Sequence, residues 1–247
     1  MTWQTLGSVA PRALVAARVE LHWAAQILGA AADGYLAHAS DDSHTAMTWQ
    51  DGALVGKAGV ALRVAAFELA VGSETLALDG KTLVEAMAWT DARLGGHREI
   101  HARDYEMPPR PAKFERAPIA DALAELARYF GNANELLARF APCVVWPHHF
   151  DLGGVIALGG DPGEPLTRGK REIGIGMSPG DRNYDEPYLY VTPYPVAPNA
   201  VMPALAAGGQ WSTHFTGAVL ANLVLAGEPG ARAFMDAAIA GSRALVS

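Results

Sequence analysis

The sequence predicts an α+β fold, a largely antiparallel sheet flanked by helices at the N-terminus, in the middle and at the C-terminus. Strand-like stretches come in runs separated by short turns, not in strict alternation with helices. Segments 12–32, 82–94 and 119–140 carry apolar residues at helical spacing. The chain has 247 residues, 50% of them hydrophobic, enough to bury a sizeable core.

Within 12–32, Val15, Val19, Trp23 and Ile27 recur every four residues, and Leu14, Leu21 and Leu28 form a second stripe. An apolar surface that wide predicts burial on more than one side. His22 and Gln26 fall between the stripes and need buried hydrogen-bond partners. Thr45 to Gln50 reads as a strand closed by the hairpin signal Asp51-Gly52. Val60 to Val71 reads as one longer strand, and Leu76 to Leu78 as a short one before the turn Asp79-Gly80. Thr82 to Leu94 follows as a helix stopped by Gly95-Gly96.

Residues 97–118 are charged and then proline-rich. The expectation is a single domain whose pseudo-halves, 1–106 and 119–247, are joined by a linker at 107–118. Both halves run helix, strand with His and Asp, further strands, helix, an order that a distant internal duplication would produce. Ile119, Leu123, Leu126, Phe130, Leu137 and Phe140 mark the helix 119–140, with a break expected near Gly131. Strand patterns follow at 144–152, 173–177 and 187–195, with a loop at 159–169. Ser212 or Thr213 is expected to cap a helix carrying Val219, Leu220, Leu223 and Val224, and Pro229 to open the last helix.

Several functions are disfavoured at once. The net charge is −7 and no basic run is longer than Lys170-Arg171, which argues against a nucleic-acid partner. The single cysteine, Cys143, excludes an intrachain disulfide and a Cys-rich zinc site, and fits a reducing cytoplasm. Arg18 and Glu20 interrupt any signal-peptide pattern. Residues 187–227 lack Asp, Glu, Lys and Arg, but prolines, Gly208-Gly209, Gln210, His214 and Asn222 break the stretch, so a membrane role is not expected. Gly176-Met-Ser-Pro-Gly180 has the spacing of a nucleophile elbow. Yet Pro179 lacks the N–H that the oxyanion would need, and no helix pattern follows. The glycines there mark a strand whose backbone something approaches closely. Gly52 to Ala58 is one residue short of a phosphate-binding loop.

The chemistry concentrates in Val144-Val-Trp-Pro-His-His-Phe-Asp-Leu152. Read as a strand, it puts His149 and Asp151 side by side on one face, about 7 Å apart, and His148 among large apolar neighbours on the other. Pro147 cannot complete a ladder, so an edge or a bulge is expected there. The pair suits a catalytic or metal-binding role, and equally a hydrogen-bonded support of the sheet. Asp42 and His44 repeat the acid–imidazole spacing, although a polar loop with a capping Asp is the plainer reading. Tyr188, Tyr190, Thr192 and Tyr194 share one strand face, either a half-buried sheet surface or the wall of an amphipathic pocket.

Two classes of function follow. One is a small-molecule enzyme, hydrolase- or lyase-like, with His149 and Asp151 as catalytic groups. In it His44, Asp42, His149 and Asp151 would hold a divalent metal, and Tyr188, Tyr190 and His214 would contact the ligand. The other is a non-catalytic ligand-binding or assembly module built on the tyrosine face, which leaves a homo-oligomer open.

Trp146-Pro-His-His-Phe-Asp151, the strand ending Ser178-Pro-Gly-Asp181, and Glu186-Pro-Tyr-Leu-Tyr190 resemble motifs of uncharacterised bacterial proteins that share a domain of unknown function. Leu21-His-Trp-Ala-Ala-Gln26 and Asp41-Asp-Ser-His44 belong to the same pattern. A looser similarity over most of the chain links these to a second such family, with an aromatic–Phe-Asp-Leu strand and a Tyr-rich strand but without the His pair. The resemblance implies one fold over nearly the whole chain and brings no activity, cofactor or catalytic residue.

Overall fold

A computed structural model describes residues 3–96, 98, 100–103, 105–159 and 171–246. Among them are four α-helices and eleven strands, an α+β fold with antiparallel strand pairing. The chain forms two compact units. The N-terminal unit comprises Gly7–Gly131 and Val144–Asp151; the C-terminal unit comprises Met1–Leu6, Asn132–Cys143 and Leu152–Ser247.

In the N-terminal unit, α1 (Pro11–Tyr35) starts with proline, whose missing N–H costs nothing in a first turn. Every residue from Ala24 to Ala32 is buried, so this end of the helix is covered all round, as the double apolar stripe requires. Five strands follow as an antiparallel meander: β1 (Met47–Gln50), β2 (Ala53–Gly56), β3 (Val60–Arg63), β4 (Glu68–Val71) and β5 (Glu74–Ala77). The short strand β6 (Val144–Val145) pairs with β1 through Met47 and Val145. Asp51 and Gly52 both take left-handed conformations, at φ 46° and 83°, as a tight hairpin turn demands.

The stretch 60–71, expected as one strand, is two strands that fold back on each other with Val60 opposite Val71. The reversal depends on Phe67, which is left-handed at φ 56° and fully buried edge-on against Phe114, 5.5 Å away. Nothing in the alternation of Leu62, Val64 and Ala66 signals such a turn. Helix α2 (Leu83–Leu94) opens with a reciprocal cap. The Thr82 hydroxyl accepts from the Glu85 N–H at 3.1 Å, and the Glu85 carboxylate accepts from the Thr82 N–H at 2.7 Å.

The segment 107–118 is not a linker between units; it lies inside the N-terminal one. Phe114, 1% exposed, anchors it, and its backbone N–H and C=O pair with the Lys81 C=O and the Gly80 N–H, each at 2.8 Å. One buried aromatic ring outweighs the linker-like composition around it.

Helix α3 (Ala120–Leu137) is continuous through Gly131 and stops three residues short of Phe140. The C-terminal unit holds β7 (Leu152–Ala157), β8 (Glu172–Ser178), β9 (Tyr188–Tyr194), β10 (Gln210–Trp211) and β11 (Ala218–Leu220), in the order β7-β8-β9-β11-β10. The expected loop 159–169 lies, beyond Gly159, outside the described residues. No helix starts at Ser212 or Thr213, because Ala218–Leu220 is a strand paired with β9. A three-residue apolar run fits either state, and only the available partner strand decides. Helix α4 (Leu223–Val246) is kinked at Gly227, φ 56°, so a second segment begins near Pro229 as expected. The close approach expected at the β8 glycines is present: a Cβ on Gly176 would lie 2.3 Å from the Tyr190 hydroxyl and 2.7 Å from the Leu152 carbonyl oxygen. Among the described residues, no helix is long and apolar enough to cross a membrane.

Candidate functional site

The end of α1 and the loop after it build a polar cluster in the N-terminal unit. Asp33 stands in the last turn of the helix. Asp42, left-handed at φ 58°, starts a single 3₁₀ turn, Ser43–Thr45, that directs His44 back towards Asp33. His44 is buried. Its Nδ1 accepts from the Ala39 N–H at 3.2 Å, so Nε2 carries the ring proton and donates to Asp33 Oδ1 at 2.8 Å. His38, exposed on the same loop, sets its ring 4.8 Å from that of His44.

Arg103 closes the cluster. Its Nε and Nη2 each donate to one oxygen of Asp33 at 2.6 Å, and its Nη1 donates to Asp42 at 2.9 Å. Burial opposes the Asp33 charge, but the hydrogen bonds from Arg103 and His44 outweigh it and hold the carboxyl below the usual carboxylate range. Asp33, His38 and His44 each offer a ligand atom, all within 4.8 Å of one another.

From Arg103 the polar surface continues to Tyr105, whose phenol feels the Arg103 charge, and on to His148, whose ring lies 5.7 Å from that of Tyr105. The His148 ring also meets Trp146 at 5.7 Å and His149 at 4.4 Å. Partial burial, then the neighbouring His149, pushes the His148 pKa down, while Asp151 and Asp42 pull it up. His148 is therefore a half-buried, biased imidazole, not the core residue its position suggested.

The strand expected through 144–152 is interrupted. Residues 147–149 turn, Phe150 is left-handed at φ 55°, and its N–H donates to the Trp146 C=O at 2.8 Å. Phe150 is buried, stacked at 4.9 Å on His22. The face shared by His149 and Asp151 on a regular strand therefore does not exist; His149 is exposed at the turn and Asp151 follows it at the loop's end. His22 and Gln26, the buried pair of α1, both donate to the Pro147 carbonyl, at 2.8 and 2.6 Å, and fasten this loop to the helix. Burial holds the His22 pKa down to about 4.

The expected metal set, Asp42, His44, His149 and Asp151, is thus divided. His44 enters the three-residue cluster, Asp42 serves Arg103, and Asp33 and His38 replace the other two. Neither Asp33 nor His38 belongs to the stretch in which Asp42 and His44 share a strand face; both precede it. The signal available was three ligand-type residues, Asp33, His38 and His44, within one helix end and its loop. Arg103 lies in the charged stretch that precedes residue 107, where the sequence predicts no element.

In the C-terminal unit, the Tyr188 and Tyr190 rings stand 6.3 Å apart on β9, with Tyr188 buried and Tyr190 half-buried. Tyr188 donates to Asp181 Oδ2 at 2.8 Å, so the turn that follows β8 folds onto this strand. Tyr184 links the rest, 4.7 Å from the Tyr188 ring and 5.8 Å, edge-on, from His214, with its hydroxyl 3.3 Å from Ser212 Oγ. His214 also lines an open hollow of about 320 Å³ with Met202, Trp211 and Phe215. The three ligand-contact residues expected from sequence are thus connected, through a Tyr184 the sequence reading passed over. No family model, curated protein or solved structure matches this chain.

Proposed function

We propose that the protein is a small-molecule enzyme, hydrolase- or lyase-like, that holds a divalent transition metal at Asp33, His38 and His44. The observation that carries this reading is the convergence of two imidazoles and one carboxylate within 4.8 Å. That donor set suits zinc, nickel, manganese or iron and leaves positions open for substrate. Ligands near 2.1 Å from one zinc stand at most about 4.2 Å apart, so the cluster must tighten by about half an ångström. The exposed His38 is free to supply that movement. Coordination through His44 Nε2 would shift the ring proton to Nδ1 and open the bond from Ala39. A metal there would bring bound water towards neutral pKa. His148, whose pKa burial lowers, would with His149 and Asp151 of the same loop move protons on the far side of Arg103 and Tyr105.

Titration calorimetry with zinc, nickel and manganese tests this. One ion per chain is expected, with affinity falling at least about tenfold, or ~1.4 kcal/mol, in His38→Ala and in Asp33→Asn. No stoichiometric binding, or binding unchanged in both variants, removes the proposal. The linked tyrosines and the His214 hollow favour a second reading, a ligand-binding module without catalysis. It would gain if ligand binding followed Tyr184→Ala and His214→Ala and ignored His38→Ala.

A further inference from the structure

Arg103 cannot shed its proton, and its fork is matched to two oxygens at a time. In the cluster as it stands, the Nε–Nη2 edge grips both oxygens of Asp33 while Nη1 holds Asp42. Two carboxylates against one guanidinium leave one net negative charge. A dication bound at Asp33, His38 and His44 would turn this into one net positive charge. It would also draw an Asp33 oxygen away from the fork. Arg103 would then remain tethered to Asp42, with at least one donor of its Nε–Nη2 edge released beside a metal that has open positions.

We infer that the ligand of this site is a small oxyanion, a carboxylate or a phosphate monoester, bridging the metal and the Nε–Nη2 edge of Arg103. The inference rests on the metal reading above and names the substrate class for it. A carboxylate can bridge with one oxygen on the fork and one on the metal, and a phosphate monoester can take both fork donors and still offer the metal a third oxygen; either offsets the positive charge. The resting Asp33–Arg103 pair is then a stand-in for the substrate contact, and metal and anion binding are coupled: each makes the other tighter.

The experiment is a nickel titration of the full chain in chloride, in acetate and in inorganic phosphate, corrected for nickel complexed by the anion. In the wild type, acetate or phosphate should tighten nickel binding about tenfold or more. Whichever does so identifies the anion chemistry. In Arg103→Gln, nickel alone should bind at least as tightly as in the wild type, since a competitor for Asp33 is gone, and the anion effect should fall below about twofold. Arg103→Lys, which keeps the charge and loses the fork, decides the matter if the Gln variant does not fold; its coupling should also be weak. Nickel binding indifferent to both anions, or coupling of equal size in the Arg103 variants, overturns the inference while leaving the metal site intact. Absence of nickel binding in the wild type removes the metal reading and this one with it.

Discussion

His22 makes the N-terminal unit acid-sensitive well above the carboxylate range. The ring is 8% exposed, stacked on Phe150 and donating to the Pro147 carbonyl. Burial, reinforced by the neighbouring Arg18, His148 and His149, outweighs that hydrogen bond and lowers its pKa to about 4. In the unfolded chain the value returns to about 6.5. Between these values the unfolded state binds a proton that the folded state refuses, so stability is full above about pH 6.5 and declines as pH falls towards 4. At about 1.4 kcal/mol per pH unit, going from pH 7 to pH 5 costs about 2 kcal/mol from this group alone. His22→Gln keeps an amide donor for Pro147 and removes the titration. Chemical denaturation followed by tryptophan fluorescence reports mainly on the right unit, because four of the six tryptophans, Trp23, Trp49, Trp89 and Trp146, belong to it. The wild type should lose about 2 kcal/mol more than the variant over that range. The half-buried His148, whose pKa is also lowered, adds to the slope in both proteins and cancels in the comparison. Equal slopes in the two proteins would refute the reasoning, as would a wild type more stable at pH 5 than at pH 7.

Two further substitutions probe the fold. Gly176→Ala pushes a methyl group into the Tyr190 ring and the Leu152 carbonyl, and should destabilise by about 1–3 kcal/mol in a urea melt. Because Leu152 contributes backbone, adding Tyr190→Ala should restore only part of the loss. Phe114→Ala empties a fully packed aromatic position beside Phe67 and should cost about 3–5 kcal/mol. It should also make the 107–118 segment a protease target; resistance equal to the wild type would mean the segment is held by something other than this ring.

The elements whose cause is local could be read directly. α1, α2 and the Asp51-Gly52 turn follow from helical spacing, a Thr-x-x-Glu cap and a turn dipeptide, each acting within a few residues. The glycines of β8 were readable too, since a strand that gives up side chains at alternate positions is making room for a neighbour. Where several outcomes shared one local pattern, the reading failed. Val60 to Val71 and Ala218 to Leu220 are apolar runs whose fate turned on a buried Phe67 and on an available β9 edge. The strand expected over 144–152 does not form, because strand parity does not survive a left-handed Phe150.

By itself, then, the sequence determined composition-level properties and short-range structure: an α+β chain, acidic, with one thiol and with His–Asp pairs near helix and strand ends. Only the tertiary structure decided which of those groups meet. Arg103 reaches Asp33 across a separation of 70 residues and Asp42 across 61, and His22 reaches the Pro147 carbonyl across 125. Such contacts depend on how the chain closes on its core. Each is worth little beside the apolar burial that brings it about, so no local pattern of charges encodes it.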